Sequence, residues 1–433
     1  MLTVLEQTIP VLQEIVQGVP LGTNLALLQL IWAIMNGSFL DSRGAIFGAL
    51  ALNKFGEDEV RRAWRALRHG VWQIDEIIGH WRGYVERENV WQAHSYEGYR
   101  PLAVDWTSFW RFGLQGWTGK FFHAIAGRAL RGIGFGLVSD VGQIDEQRIP
   151  LLRKIIRSRW RNPSEAQLKK DTLQWVTRHL GAQQVVIVDG GVKIPQLQTL
   201  AVARYVVRLA NNCTARRNYP APYKGCGRYP VWGEKVRPLA RTYKGNSIAA
   251  TDPDIVTDFA FEGRTIRAHG WKNMLHSDLK PDPDNPTFAI WALFDPLYHD
   301  PMILGTNLQD AQPSTILSLY LDRWPVEQLP LIAKQMLGLH RQFVFAPQSC
   351  FRLPELALLV GNILTYLAAI LPPMPTGFWD RRPRKTAGRL RRRLRKVVFP
   401  KQAFSDPRIR KKNSVTDHLP KGVAAHRRKK QVA

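Results

Sequence analysis

Residues 185–188 are an unbroken aliphatic run, Val-Val-Ile-Val, followed at once by Asp189, Gly190 and Gly191. A strand with one wet face alternates polar and apolar residues. A short continuous β-branched run instead suits a strand buried on both faces, which requires a sheet with cover on either side. A second, shorter run, Leu102–Val104, ends the same way at Asp105. Both read as core strands whose last residue is an aspartate leading into a turn. Between them, 148–162 (RIPLLRKIIRSRWRN) and 164–181 (SEAQLKKDTLQWVTRHLG) read as basic amphipathic helices, the second with Ser164 as N-cap and Gly181 as its stop. Strands alternating with helices define an α/β fold class.

The texture of the chain divides around this core. Residues 1–95 read as helical, and 42–72 hold a helix, a Gly-containing turn and an Arg-rich helix. That is a helix-turn-helix pattern, and equally the pattern of any two packed helices in a bundle with a basic surface. Residues 96–200 form the first part of the α/β core. Pro, Gly and aromatic clusters with short strand-like runs make 201–305 a β-rich insertion with long loops. The core resumes over 306–378, and 379–433, rich in Pro, Arg and Lys without a sustained apolar period, reads as a disordered tail. The apolar stretches 19–35 and 356–371 are interrupted by Asn24 and Gln29, and by Asn362. Both fall short of the roughly 20 apolar residues of a membrane span, so they are expected to be core helices, with no membrane partner. The first residues carry acids and no basic region, unlike a signal peptide. Three cysteines without a CxxC pair argue against a disulfide framework or a cysteine zinc site, and suit a reducing cytoplasm.

Charge narrows the partner. Sixty-one Lys and Arg stand against 35 Asp and Glu, a formal +26, which favours a polyanion, with nucleic acid the default. In residues 381–433 twenty Lys and Arg face only Asp406 and Asp417, so +18 of the total lies there and the body is mildly basic. Such an arm attracts phosphates without reading sequence.

Residues 319–338 (LYLDRWPVEQLPLIAKQMLG) carry Tyr320, Arg323, Glu327 and Lys334 among apolar neighbours. On one continuous helix, at about 100° per residue, all four fall within about 60° of one another, with Asp322 on the opposite side. Such a stripe is either a solvated salt-bridge face or a surface for phosphate and metal. Asp105, Asp189 and Glu327, supplied by separate elements of a basic protein, suit two Mg²⁺ or Mn²⁺ ions. Hard cations take oxygen ligands, and a metal pair activates water and steadies the leaving oxygen of a phosphodiester. The alternative for each strand-end aspartate is an ordinary turn or cap residue. Asp140, after the strand-like GFGLVS, is a rival to Asp105, and Asp145 lies in the same region.

Tyr320, Arg323, Glu327 and Lys334, at gaps of two, three and six residues, match the YREK signature of bacterial insertion-sequence transposases of the DDE class. AVDWT resembles the first-Asp motif of that family and VIVDGGV the second, although Val192 stands where an Arg or aromatic residue is common. The GRYPVWGEKVRPL stretch at 227–239 is similar to a Gly-Arg-Pro-rich part of the insertion in related transposases. The resemblance covers roughly 98–345. It implies a ribonuclease H-like catalytic core interrupted by the β-rich insertion, with Asp105, Asp189 and Glu327 as catalytic carboxylates and metal ligands. It implies that Arg323 and Lys334 hold DNA phosphates with Tyr320 beside them, and that a Trp of the insertion, Trp291 or Trp271, stacks on a flipped base. The function expected is cut-and-paste transposition of double-stranded DNA in a bacterial cytoplasm. Terminal inverted repeats would be bound by the N-terminal helices and two ends synapsed by a homodimer. A non-catalytic DNA-binding derivative and a plain metal-dependent nuclease are the alternatives.

Overall fold

The computed structural model describes residues 2–223 and 225–404. Helices come first: α1 (Leu2–Gln17), α2 (Leu27–Met35), α3 (Ser38–Asp41), α4 (Ile46–Ala51), α5 (Glu57–His69) and α6 (Ile74–Glu88). The sheet begins with β1 (Gln92–Ala93), β2 (Arg100–Trp110), β3 (Lys120–His123), β4 (Arg128–Ile144) and β5 (Gln147–Arg157). It continues through α7 (Glu165–His179), β6 (Gln184–Val188), α8 (Ile194–Thr199) and β7 (Tyr205–Arg208). A run of strands follows: β8 (Ala215–Pro220), β9 (Gly233–Val236), β10 (Arg241–Tyr243), β11 (Asn246–Ile248), β12 (Ile255–Phe261), β13 (Arg264–His276), β14 (Phe288–Phe294) and β15 (Met302–Thr306). Next come α9 (Pro313–Leu321), α10 (Trp324–Leu331), a π-helical turn at Ile332–Met336, α11 (Pro347–Ile370) and α12 (Ala387–Leu394).

The protein is a mixed α/β structure around one large mixed sheet, with helices at both ends of the chain. β5, β4 and β2 form an antiparallel meander; β6 lies parallel to β2, and β7 parallel to β6. The strands of 201–305 do not make a body apart. β15 pairs antiparallel with β7, and β14, β13, β8 and β9 extend the same sheet outward. Period-two geometry explains the aliphatic run of β6. Val186 and Val188 join a core with Leu173 and Val176 of α7 and Leu197 of α8, while Val185 and Ile187 face Ile316, Leu319 and Tyr320 of α9.

Three sequence expectations are corrected here. Residues 148–162 are not a helix, because Gln147–Arg157 is strand β5. It returns from β4 over a turn at Asp145, whose φ is 52°, and pairs with β4 from Ile144↔Gln147 to Phe135↔Arg157. The long neighbouring strand satisfies its backbone, and this tertiary pairing outweighs an apolar spacing that also fits 3.6 residues. Asp105 does not end its strand; β2 continues to Trp110. Residues 379–404 do not read as a free tail in the structure, since Ala387, Leu390 and Leu394 give α12 a buried face against α11 and Thr386 caps its first turn. Residues 405–433 lie outside the described part. By contrast α7 forms as expected, with the Ser164 side chain accepting from the Gln167 N–H at 3.1 Å.

α11 is, among the described residues, the one helix long and apolar enough to cross a membrane. Here α2, α5, α6, β5 and α12 cover it. Asn362, the polar break in its apolar run, is fully buried and clips three elements together. Its Oδ1 accepts from the Trp81 indole of α6 (2.9 Å) and from the Leu152 N–H of β5 (3.0 Å), and its Nδ2 donates to the Pro150 carbonyl (2.5 Å). Asn362→Leu fills the space but strands those buried groups. The expected cost is about 3 kcal/mol or more, seen as a lower urea midpoint, against less than about 1.5 kcal/mol for Ile363→Val beside it.

Candidate active site

The pairing of β2 with β6 is parallel at a constant offset of 84 residues, from Arg100↔Gln184 to Ala103↔Ile187. Asp105 and Asp189 are separated by that same offset, so the register carries them to the same level of adjacent strands. Parity sets their faces: Asp105 shares one with Ala103, which packs in the α11 core, and Asp189 follows Val185 and Ile187 toward α9. Past Ala103, β2 keeps only β4 as neighbour, so Asp105 stands where the sheet opens.

The segment carrying the four signature residues is not one helix. Pro325 has no N–H to give the Leu321 carbonyl, and α9 ends at Leu321 and α10 begins at Trp324; Pro330, inside α10, likewise has none to give Val326. Across the break Arg323 N–H bonds Tyr320 O at 3.0 Å and Val326 N–H bonds Arg323 O at 3.2 Å, both tight i→i+3 contacts. After α10 the backbone widens, with Leu337 N–H reaching Ile332 O at 2.9 Å in the π turn that carries Lys334. The single-stripe helix is therefore corrected, yet its residues still converge. The Tyr320 hydroxyl donates to Asp189 Oδ1 (3.2 Å), Arg323 is ion-paired with Glu327, and Lys334 Nζ donates to Thr107 Oγ1 (2.7 Å).

These groups set one another's charge. Burial pushes Asp105 up to about 6, with Glu327 and Asp189 adding repulsion, while the Trp106 N–H and Arg323 oppose it. Burial also pulls Lys334 down to about 8, against the attraction of Asp105. Burial holds the Tyr320 phenol above its ordinary value. Arg323 is 3% exposed and lies between the rings of Tyr320 (5.5 Å) and Trp324 (5.3 Å). Burial works to lower its pKa, but Tyr320, Glu327 and Asp189 outweigh that and keep it charged. Its Nε–H has no partner among the described residues.

Other sequence candidates are elsewhere. Asp140, opposite Leu102, is ion-paired with Arg82 (2.8 Å) and Arg153 (3.7 Å) and is not among the charges acting on Asp105. Asp145 pairs with Lys385 at 2.9 Å. Trp291 is 3% exposed, its ring occupying the space that a Cβ on Gly270 would fill, so it is a core residue and cannot stack on a base in this conformation. Trp271 is equally buried, its indole donating to Asp252 O at 2.9 Å. Thr107 was missed by sequence reading, although it lies two residues beyond Asp105 and so on the same face of β2. Also missed was the anchor behind the helix break. Asp322, fully buried, takes hydrogen bonds from His94 Nδ1 (2.7 Å) and the Tyr96 hydroxyl (3.0 Å), with Arg148 Nε at 3.4 Å.

The donor set around Asp105 is all oxygen, which suits a hard divalent cation rather than a soft one. Among the described residues the three carboxylates do not close into a ready group of metal ligands; Glu327 is turned onto Arg323 and Asp189 accepts from Tyr320. No protein-family model matches this sequence, and no curated protein matches it.

Asp105 is more strongly protonated in the folded chain than unfolded, so its ionisation costs stability as pH rises from about 4 to about 6. Asp105→Asn removes that penalty. Without divalent cations the variant should be more stable than wild type at pH 7.5 by on the order of 2 kcal/mol. The gain should vanish below about pH 4, where Asp105 is protonated in both states. Thermal unfolding at the two pH values measures it; an equal effect at both would remove the charge explanation.

Proposed function

We propose that the chain is a DDE-class DNA transposase that cuts the ends of a mobile DNA element and joins them to a target. One observation carries the reading. Three carboxylates from three separate elements act on one another at an opening in the sheet, ringed by Tyr320, Arg323 and Lys334. The strand arrangement supports it. Three antiparallel strands followed by two parallel ones, with helices on both faces, is the arrangement of a ribonuclease H-like core, and β8–β15 fall where the resemblance expects the insertion. The surplus of cations fits a DNA partner.

The residues divide the work by chemistry. Mutual repulsion at Asp105 is what a cation between the three carboxylates would relieve, so Asp105, Asp189 and Glu327 are the groups to hold it. Two Mg²⁺ or Mn²⁺ ions bound there would supply activation of water, or of a 3′-hydroxyl, and stabilisation of the leaving oxygen. Arg323 keeps its charge in a buried setting and has a spare N–H, which suits it to grip a phosphate as Glu327 turns away. Thr107 holds Lys334 within the field of Asp105, where its ammonium can meet a second phosphate oxygen. Tyr320 orients Asp189 through its hydroxyl. On this reading the protein works as a homodimer that brings two element ends together.

A strand-transfer assay with a duplex bracketed by the element's own inverted repeats, with Mg²⁺ or Mn²⁺, tests the proposal. Wild type should nick and join; Glu327→Gln and Asp189→Asn should lose on the order of 10³-fold in cleavage while retaining DNA binding. Undiminished joining by Glu327→Gln sinks the assignment. Hydrolysis without joining means a nuclease, and binding without nicking means a non-catalytic derivative.

A further inference from the structure

The surface of α12 has no role in the chemistry above. Its buried side is Ala387, Leu390 and Leu394, and its other side presents an almost continuous run of guanidinium groups. With residues 375–378 it forms a cleft of about 590 Å³ lined by five arginines and Lys396, with Asp41 as the one acid among the lining residues. Two of these cations are neutralised locally, Arg389 by Asp380 (2.8 Å) and Arg395 by Asp41 (2.7 Å). No side-chain ion pair or hydrogen bond reaches Arg392, Arg393 or Lys396 among the described residues. Burial and the neighbouring Arg392 and Arg395 hold Arg391 below the usual guanidinium range against the attraction of Asp41, so like charge is crowded here with one carboxylate to offset it.

Beside these cations stand two aromatic rings. Phe378 is 97% exposed and Trp379 66% exposed, edge to face at 5.0 Å, and Phe378 lines the cleft. A duplex offers such a cleft only phosphates, since its bases are stacked inside. An unpaired strand offers phosphates and a ring face together, and base stacking on an exposed aromatic is independent of sequence. α12 also packs on the π turn that bears Lys334, with Gly388 against Met336. The helix that forms one wall of the cleft therefore also touches the segment that lines the candidate active site.

We propose that the cleft between α12 and residues 375–379 is a separate DNA-binding surface for an unpaired strand, with phosphates on Arg391, Arg392, Arg393 and Lys396 and a base against Phe378 and Trp379. It stands on charge and exposure at this surface and does not depend on the catalytic reading.

Fluorescence anisotropy with full-length protein in EDTA, where nothing is cut, tests it with a labelled single strand of about 20 nucleotides and a blunt duplex of the same sequence. Phe378→Ala with Trp379→Ala should weaken single-strand binding about tenfold, leave the duplex unchanged and leave the salt slope unchanged. Arg392→Gln, Arg393→Gln and Lys396→Gln together should weaken both and reduce the salt slope for the single strand by about 2. All five side chains are exposed, and a circular dichroism melt matching wild type shows that the fold is kept. Single Phe378→Ala and Arg393→Gln variants serve if a combined one melts early. Wild-type affinity in both sets overturns the proposal. So does an aromatic variant that leaves the ratio of single-strand to duplex affinity unaltered, since the surface would then be a phosphate track only.

Discussion

The parallel pairing of β2 with β6 is the contact on which the site depends. Two strands far apart in sequence meet at one register, and that register brings Asp105 and Asp189 level. A slip of one residue would turn every side chain of one strand to its other face, moving Val186 and Val188 off the α7 side and Asp189 away from Tyr320. Burial of β6 on both faces makes such a slip costly, so the apolar cores on either side of the sheet hold the two carboxylates in place.

Around that pair the structure accumulates strain of an electrostatic kind. Asp105 is half-buried with two other carboxylates acting on it, and Lys334 is desolvated enough to lose much of its hold on a proton. Neither is favourable for folding. The offset comes from neutral packing elsewhere: α11 with its covering helices, and the Asn362 clip that joins α6 and β5 to it. Prolines play the corresponding part in the backbone. Pro325 and Pro330 deny the chain a regular helix, and Asp322, buried on His94, Tyr96 and Arg148, holds the resulting break.

Much of this was legible in the chain. The double-sided burial of β6, the cap and stop of α7, the α/β alternation and the two core helices at 19–35 and 356–371 follow from local patterns that their tertiary setting reinforces. The strand at 147–157 was not legible, because its apolar spacing fits a helix as well and only β4 decides between them. Nor was α12, whose three apolar positions are too few to stand out in so basic a stretch. Trp291 illustrates a different limit: the resemblance makes a tryptophan of this region a candidate for stacking, but only the approach of Gly270 shows that its ring is used inside.

For this protein the sequence by itself determined which residue types could do chemistry and how far apart they lie: Asp105 and Asp189 at an 84-residue spacing, and Tyr320, Arg323, Glu327 and Lys334 at fixed gaps. Tertiary structure alone decided that Asp105 and not Asp140 shares its field with Asp189 and Glu327. It also decided that the four signature residues converge despite a broken helix, and that Thr107 holds Lys334. The physical reason is that spacing along a chain is a local property. Charge coupling depends on distance through space, and strand register and helix breaks set that distance.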